Sequence, residues 1–255
     1  MKIASEHVQP VSIGTLFKNM LGRGRSVFLL SLIGSFLIIA LSSLILFFLY
    51  EYIESLGFSE SQLAILSTIN NMLFISLTSV NIFYLLMGEA ELPFMQQVKQ
   101  SLIKTFKITP ILIVATLIFS VFIFLGLGLF VIPGLILFAY LGVYSQTIVF
   151  ENQGIIASLL RSRDLVKGSF LKVFGILVSL YLITNIFPLV PALTAALFIS
   201  ETYIWVEIIV YCISYMIMMP FIASGYVLLY FDLRSRQEPF DYKAFMKQRD
   251  KVMTL

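Results

Sequence analysis

The stretch ITPILIVATLIFSVFIFLGLGLFVIPGLILFAYLGVYSQTIVF, residues 108–150, runs for 43 positions without a charged side chain. A helix that crosses the hydrocarbon core of a bilayer needs about 20 apolar residues. The stretch is too long for one crossing and right for two. Its middle contains Gly126, Gly128, Pro133 and Gly134. Glycine readily ends a helix and proline readily begins one, so a tight reversal is expected here. Residues 108–127 and 131–150 then form a helical hairpin.

Similar runs lie on both sides. Residues 26–50 and 61–88 contain one span each before the hairpin, and residues 173–192 and 204–231 contain two after it. Pro188, Pro191, Glu201 and Glu207 separate the last two, and Pro220 predicts a kink. The runs are continuously apolar rather than alternating, which argues against a β-barrel. The expected fold is therefore all-α, a six-transmembrane helical bundle. A leader at 1–25 and a basic tail at 232–255 flank the membrane domain at 26–231. The first span is too long for a cleaved signal peptide and reads as a signal anchor.

Composition agrees. The chain is 59% hydrophobic and 12% charged, with mean hydropathy +0.98. Soluble domains carry roughly 25% charged residues, so a water-soluble globule is excluded. One cysteine, Cys212, and one histidine, His7, leave no disulfide framework and no zinc or His-rich metal site. No cofactor is expected.

The 17 Lys and Arg residues fall into four groups: the leader, the loops near 99–107 and 161–172, and the tail. The intervening loops contain only acidic residues, namely Glu51, Glu54, Glu60, Glu201 and Glu207. The net charge of +3 thus divides into +8 on one side and −5 on the other. By the positive-inside rule the basic side is cytoplasmic. Both termini are then inside, and the expected location is the inner (cytoplasmic) membrane.

Amphipathic segments precede alternate spans. Ile13, Leu16, Phe17 and Met20 share a helical face, as do Phe94, Val98 and Leu102. Ile155, Leu159, Val166 and Phe170 form a third apolar face, opposite Arg161, Asp164 and Lys167. Such helices lie in the headgroup plane, where basic residues attract anionic lipid. These segments are either lipid-facing struts or a docking surface for a membrane or cytoplasmic protein.

Two stretches carry a family signature. One is Glu151-Asn-Gln-Gly154-Ile-Ile-Ala157-Ser-Leu-Leu-Arg161-Ser162-Arg163-Asp164-Leu165-Val-Lys167-Gly168. The other is Tyr230-Phe-Asp232-Leu233-Arg234-Ser-Arg236-Gln-Glu238-Pro-Phe-Asp241. In order and spacing they resemble the bacterial YciC-like integral membrane family, related to the membrane domain of some glycerophosphodiester phosphodiesterases. Arg163-Asp164 and Pro239 depart from that pattern. The resemblance covers most of the chain and implies topology and a role in envelope or lipid homeostasis. The phosphodiesterase chemistry of the relatives belongs to a separate soluble barrel, which this sequence lacks.

Two sets of residues are candidates for function. Glu151, Arg161, Asp164, Lys167, Asp232, Arg234 and Arg236 lie where spans meet the cytoplasm. Charges from the 161–164 segment are expected to pair with those of 232–236 across the bundle. Ser67, Asn70, Asn71, Thr78 and Asn81 form a polar stripe along span two, with Phe74 among them. Amides are costly in lipid, so the stripe should face inward, either to join helices or to wall a conduit. Tyr140 and Tyr144, one turn apart, read as packing residues. Apart from Glu207 near the outer end of the last, no span contains an acid to activate Ser or Thr; no phosphate loop follows the glycine pairs, and the basic loops are too short for nucleic acid. The expectation is a non-catalytic scaffold or accessory subunit; the alternative is a small permease or exporter component.

Overall fold

In a computed structural model of the chain, residues 12–57, 59–88, 92–198 and 204–238 are described. Their secondary structure is helical throughout: α1 (Ile13–Ser55), α2 (Glu60–Met87), α3 (Phe94–Leu129), α4 (Val131–Leu141), α5 (Tyr144–Glu151), α6 (Ile155–Val166), α7 (Phe170–Phe198) and α8 (Ile204–Gln237). Five segments are long and apolar enough to cross a membrane: Ser61–Met87, Phe94–Leu129, Val131–Glu151, Phe170–Pro191 and Ile213–Gln237. A sixth results if the two arms of α1, Ile13–Gly22 and Val27–Leu41, are taken together across their 82° bend. The architecture is an all-α bundle of the multi-pass membrane type.

α8 is the centre of this bundle. Its apolar window is 78% buried, against 33–50% in the other four spans. Met219, Ile222, Ala223, Val227, Leu229 and Tyr230 are fully enclosed, and α1, α2 and α7 pack around them. The outer helices turn apolar stripes outward. On α3, Ile111, Val114, Leu117, Val121 and Leu125 recur at helical spacing and are all exposed. In water so long an apolar stripe would drive aggregation, whereas in lipid it is the expected exterior.

The hairpin forms, but not by the expected device. Gly126 and Gly128 do not end a helix; α3 continues to Leu129, Phe130 alone bridges, and Pro133 sits in the first turn of α4. The glycines act by size. A Cβ on Gly126 would lie 2.8 Å from the Cα of Gly134, and one on Gly134 would lie 2.5 Å from Leu127. Phe119 meets Phe138 and Thr116 meets Tyr144 farther along, so the two helices run antiparallel.

Other expected boundaries shift. The segment around Phe94, Val98 and Leu102 is not a separate surface helix but the first turns of a continuous 36-residue α3. At 1.5 Å per residue α3 is about 54 Å long, well beyond the thickness of a hydrocarbon core. Val98 and Leu102 are buried in the bundle. The fourth span is divided into α4 and α5 at Gly142-Val143. The last two helices exceed the expected limits: α7 runs from Phe170 to Phe198, and α8 begins at Ile204 as expected but continues to Gln237. The leader before Ser12 and the tail beyond Glu238 lie outside the described residues.

Candidate functional site at the basic end of the bundle

The C-terminal ends of α2, α5 and α8 meet at one end of the bundle with α6 and the start of α7. Rings of Phe83, Phe150, Tyr230 and Phe231 form an apolar floor there, with centroids 5.2–6.2 Å apart. Charges are layered on this floor.

Glu151 ends α5, and Asn152 follows in the left-handed conformation at φ 50°, which turns the chain toward α6. Arg161, ten residues on, donates its Nε to both carboxylate oxygens of Glu151 at 2.9 and 3.0 Å. The Tyr230 hydroxyl donates to Glu151 Oε1 at 3.0 Å, and Gln153 donates to Oε2 at 3.2 Å. The other side of Arg161 pairs with Glu238, which also accepts from Arg234 Nε at 3.0 Å. Arg234 in turn lies 4.8 Å over the Phe150 ring. α5, α6 and the end of α8 are thereby joined through one chain of charges.

A second cluster joins α7 to α8. Asp232 is almost fully buried, its side chain 1% exposed, and accepts from Lys172 Nζ at 2.6 Å and Arg236 Nε at 3.0 Å. Burial works against the charged form of Glu238. The hydrogen bond and charge of Arg161, then those of Arg234, outweigh it and hold the carboxyl below its ordinary value. Burial likewise disfavours the Arg161 cation, but Glu238 and Glu151 more than compensate.

The structure therefore brings together Glu151, Arg161, Arg234, Asp232 and Arg236, in two clusters rather than one. Arg161 does not pair with Asp232. Asp164 is exposed and makes no ion pair among the described residues, and Lys167 is exposed, its carbonyl accepting from Gln237 at 2.6 Å. Lys172 and Glu238, which are not among the sequence candidates, complete the clusters. Lys172 had a readable signal: it is the last basic residue before the apolar run of α7.

The α2 stripe is likewise divided. Ser67 is exposed and bonds back to its own helix, and Asn70 is half-buried. Asn71 accepts from Tyr215 at 2.5 Å and donates to Asn185 at 3.5 Å, linking α2, α7 and α8. Thr78 is buried but bonds only within α2, to the Phe74 and Ile75 carbonyls. Asn81 donates to Ser101 and Thr105 on α3 at 3.3 and 3.4 Å. Its Oδ1 is buried without a hydrogen-bond partner and faces Gly34 of α1.

A neighbouring face of α2 carries more polar contacts. Ser76 bonds the Tyr144 hydroxyl at 2.8 Å, Tyr144 bonds Thr116 at 2.7 Å, and Gln146 donates to Ser79 at 3.0 Å. Tyr144 thus both packs, against Phe119 at 4.9 Å, and hydrogen-bonds. Ser76, Ser79, Phe119 and Tyr144 border a cavity of about 30 Å³ beside the α4–α5 break, also lined by Tyr181 and Tyr226. Ser162 of α6 seals the break from the other side. Its hydroxyl donates to the Tyr140 carbonyl at 2.9 Å and accepts from the Val143 N–H at 3.3 Å.

No family model, curated protein or solved structure matches this chain.

Proposed function

We propose that the chain acts without catalysis, as a scaffold or accessory subunit in a bacterial inner membrane. In this reading the basic end is cytoplasmic, both termini are inside, and anionic headgroups surround that end. The carrying observation is how the polar groups inside the bundle are used. Asn71, Ser76, Ser79, Asn81, Tyr144 and Gln146 each bond a side chain on another helix. Groups committed to holding helices together are poor walls for a path that must open and close. The signatures at 151–168 and 230–241, which resemble the YciC-like family, favour a setting in envelope or lipid homeostasis.

A second reading, a small permease or exporter component, draws support from the hydroxyl-lined cavity beside the α4–α5 break. Reconstitution in liposomes separates the two. The scaffold reading expects no saturable flux of small polar solutes and a protein partner retained in mild detergent. Saturable flux that disappears in Asn71→Leu or Asn81→Leu would overturn it.

A further inference from the structure

The apolar residues of α6 that meet the surroundings are not those its amphipathic pattern singles out. Leu159 and Val166 are buried inside the protein, with Ser158, Ser162 and Leu165. The outward face instead holds Ile156, 60% exposed, Leu160, 53% exposed, and then Arg163. These fall at i, i+4 and i+7, one stripe of a helix. Exposed Lys167 follows one turn later. Leu171, four residues further on in the first turn of α7, is 80% exposed. Arg163 and Lys167 make no ion pair among the described residues, and the nearest acid on the helix, Asp164, sits to one side of the stripe.

Position restricts what can cover this face. Residues 152–154 link α6 to the end of a membrane-crossing segment, and residues 167–169 link it to the start of the next. Three-residue links reach only about 10 Å, so α6 stays at the bilayer boundary. Ser162 and the Arg161–Glu151 pair fix its inner side and so set which face looks outward. Apolar side chains next to unneutralised cations at that depth suit acyl chains below and phosphate above.

We propose that Ile156, Leu160, Arg163, Lys167 and Leu171 form a site that selects anionic phospholipid at the bilayer surface. It rests on the membrane reading given above and names the residues through which the basic end meets lipid.

The test uses the full chain in vesicles of phosphatidylcholine and phosphatidylglycerol, identical in both leaflets. The single tryptophan, Trp205, is replaced by Phe, and a reporter is placed by Leu160→Trp or, in a second variant, Ile156→Trp. Brominated phosphatidylglycerol should quench the reporter at a lower mole fraction than brominated phosphatidylcholine. Each of Arg163→Gln and Lys167→Gln should shrink that preference about five-fold, the effect of one basic residue at an anionic surface. Equal quenching by the two lipids would overturn the proposal, and so would quenching by neither. Because the leaflets are identical, the result is independent of which side α6 faces. An inverted topology would therefore sink the orientation and leave this site intact, whereas equal quenching would do the reverse.

Discussion

Asp232 shows how much one side chain can determine. Its carboxylate, 1% exposed, is met by Lys172 and Arg236. Removing one partner of a buried pair typically costs about 3–5 kcal/mol, and the cost is smaller here because Arg236 still reaches Asp232. Lys172→Met should therefore lower the unfolding temperature in detergent by several degrees. The Lys172→Met/Asp232→Leu double variant should recover most of the loss. A double variant no more stable than the single one would show that the pair is not the unit of stability. The importance of Asp232 was legible in the sequence as an acid at the end of a span. Its partner was not, because Lys172 is 60 residues away and only the packing of α7 on α8 brings the two together.

Among elements, the α1–α2 contact depends on a missing side chain. A Cβ on Gly34 would sit 2.5 Å from Asn81 Oδ1. Gly34→Ala should destabilise the bundle by about 1–3 kcal/mol, as overpacking does. Asn81→Ala in the same chain should remove the clash, so the two changes together should cost less than their sum. Strict additivity in thermal unfolding would mean that the helices do not approach here. The α4–α5 break gives a second expectation. Ser162→Ala leaves the Val143 N–H unbonded in a buried site, a loss of about 1–3 kcal/mol, whereas Ser67→Ala on the exposed start of α2 should be nearly neutral. Neither contact could be read beforehand. Spacing along one helix says which residues share a face, but not which neighbour that face meets.

For the molecule as a whole, the network at the basic end makes stability depend on pH. The Glu238 carboxyl titrates below its unfolded value of 4.5 because Arg161 and Arg234 favour its charged form. A depressed carboxylate contributes stability above the unfolded value and loses it as pH falls through the folded one. Acidification from pH 6 should therefore leave the attachment of α8 to α6 unchanged until about pH 4–5, then loosen it. Glu238→Gln should flatten that part of the stability profile; an unchanged profile would mean that Glu238 does not hold the end of α8. Orientation is tested on the same scale. Tags at both termini should be protected from protease in right-side-out vesicles and cleaved after inversion.

Sequence alone determined the class of fold, because each long uncharged run must satisfy its own backbone hydrogen bonds in lipid and can do so only as a helix. It also marked where the chain reverses between α3 and α4. The tertiary structure decided the rest. It made α8 the buried centre although its composition resembles that of its neighbours. It used Gly126 and Gly134 for close contact rather than for ending a helix, and it paired Asp232 with Lys172 rather than Arg161. It also turned Ile156 and Leu160 outward while burying Leu159 and Val166. In each case the physical reason is the same: lipid, protein and helix ends can all accept an apolar residue or a basic one. Which of them does so depends on neighbours distant in the chain.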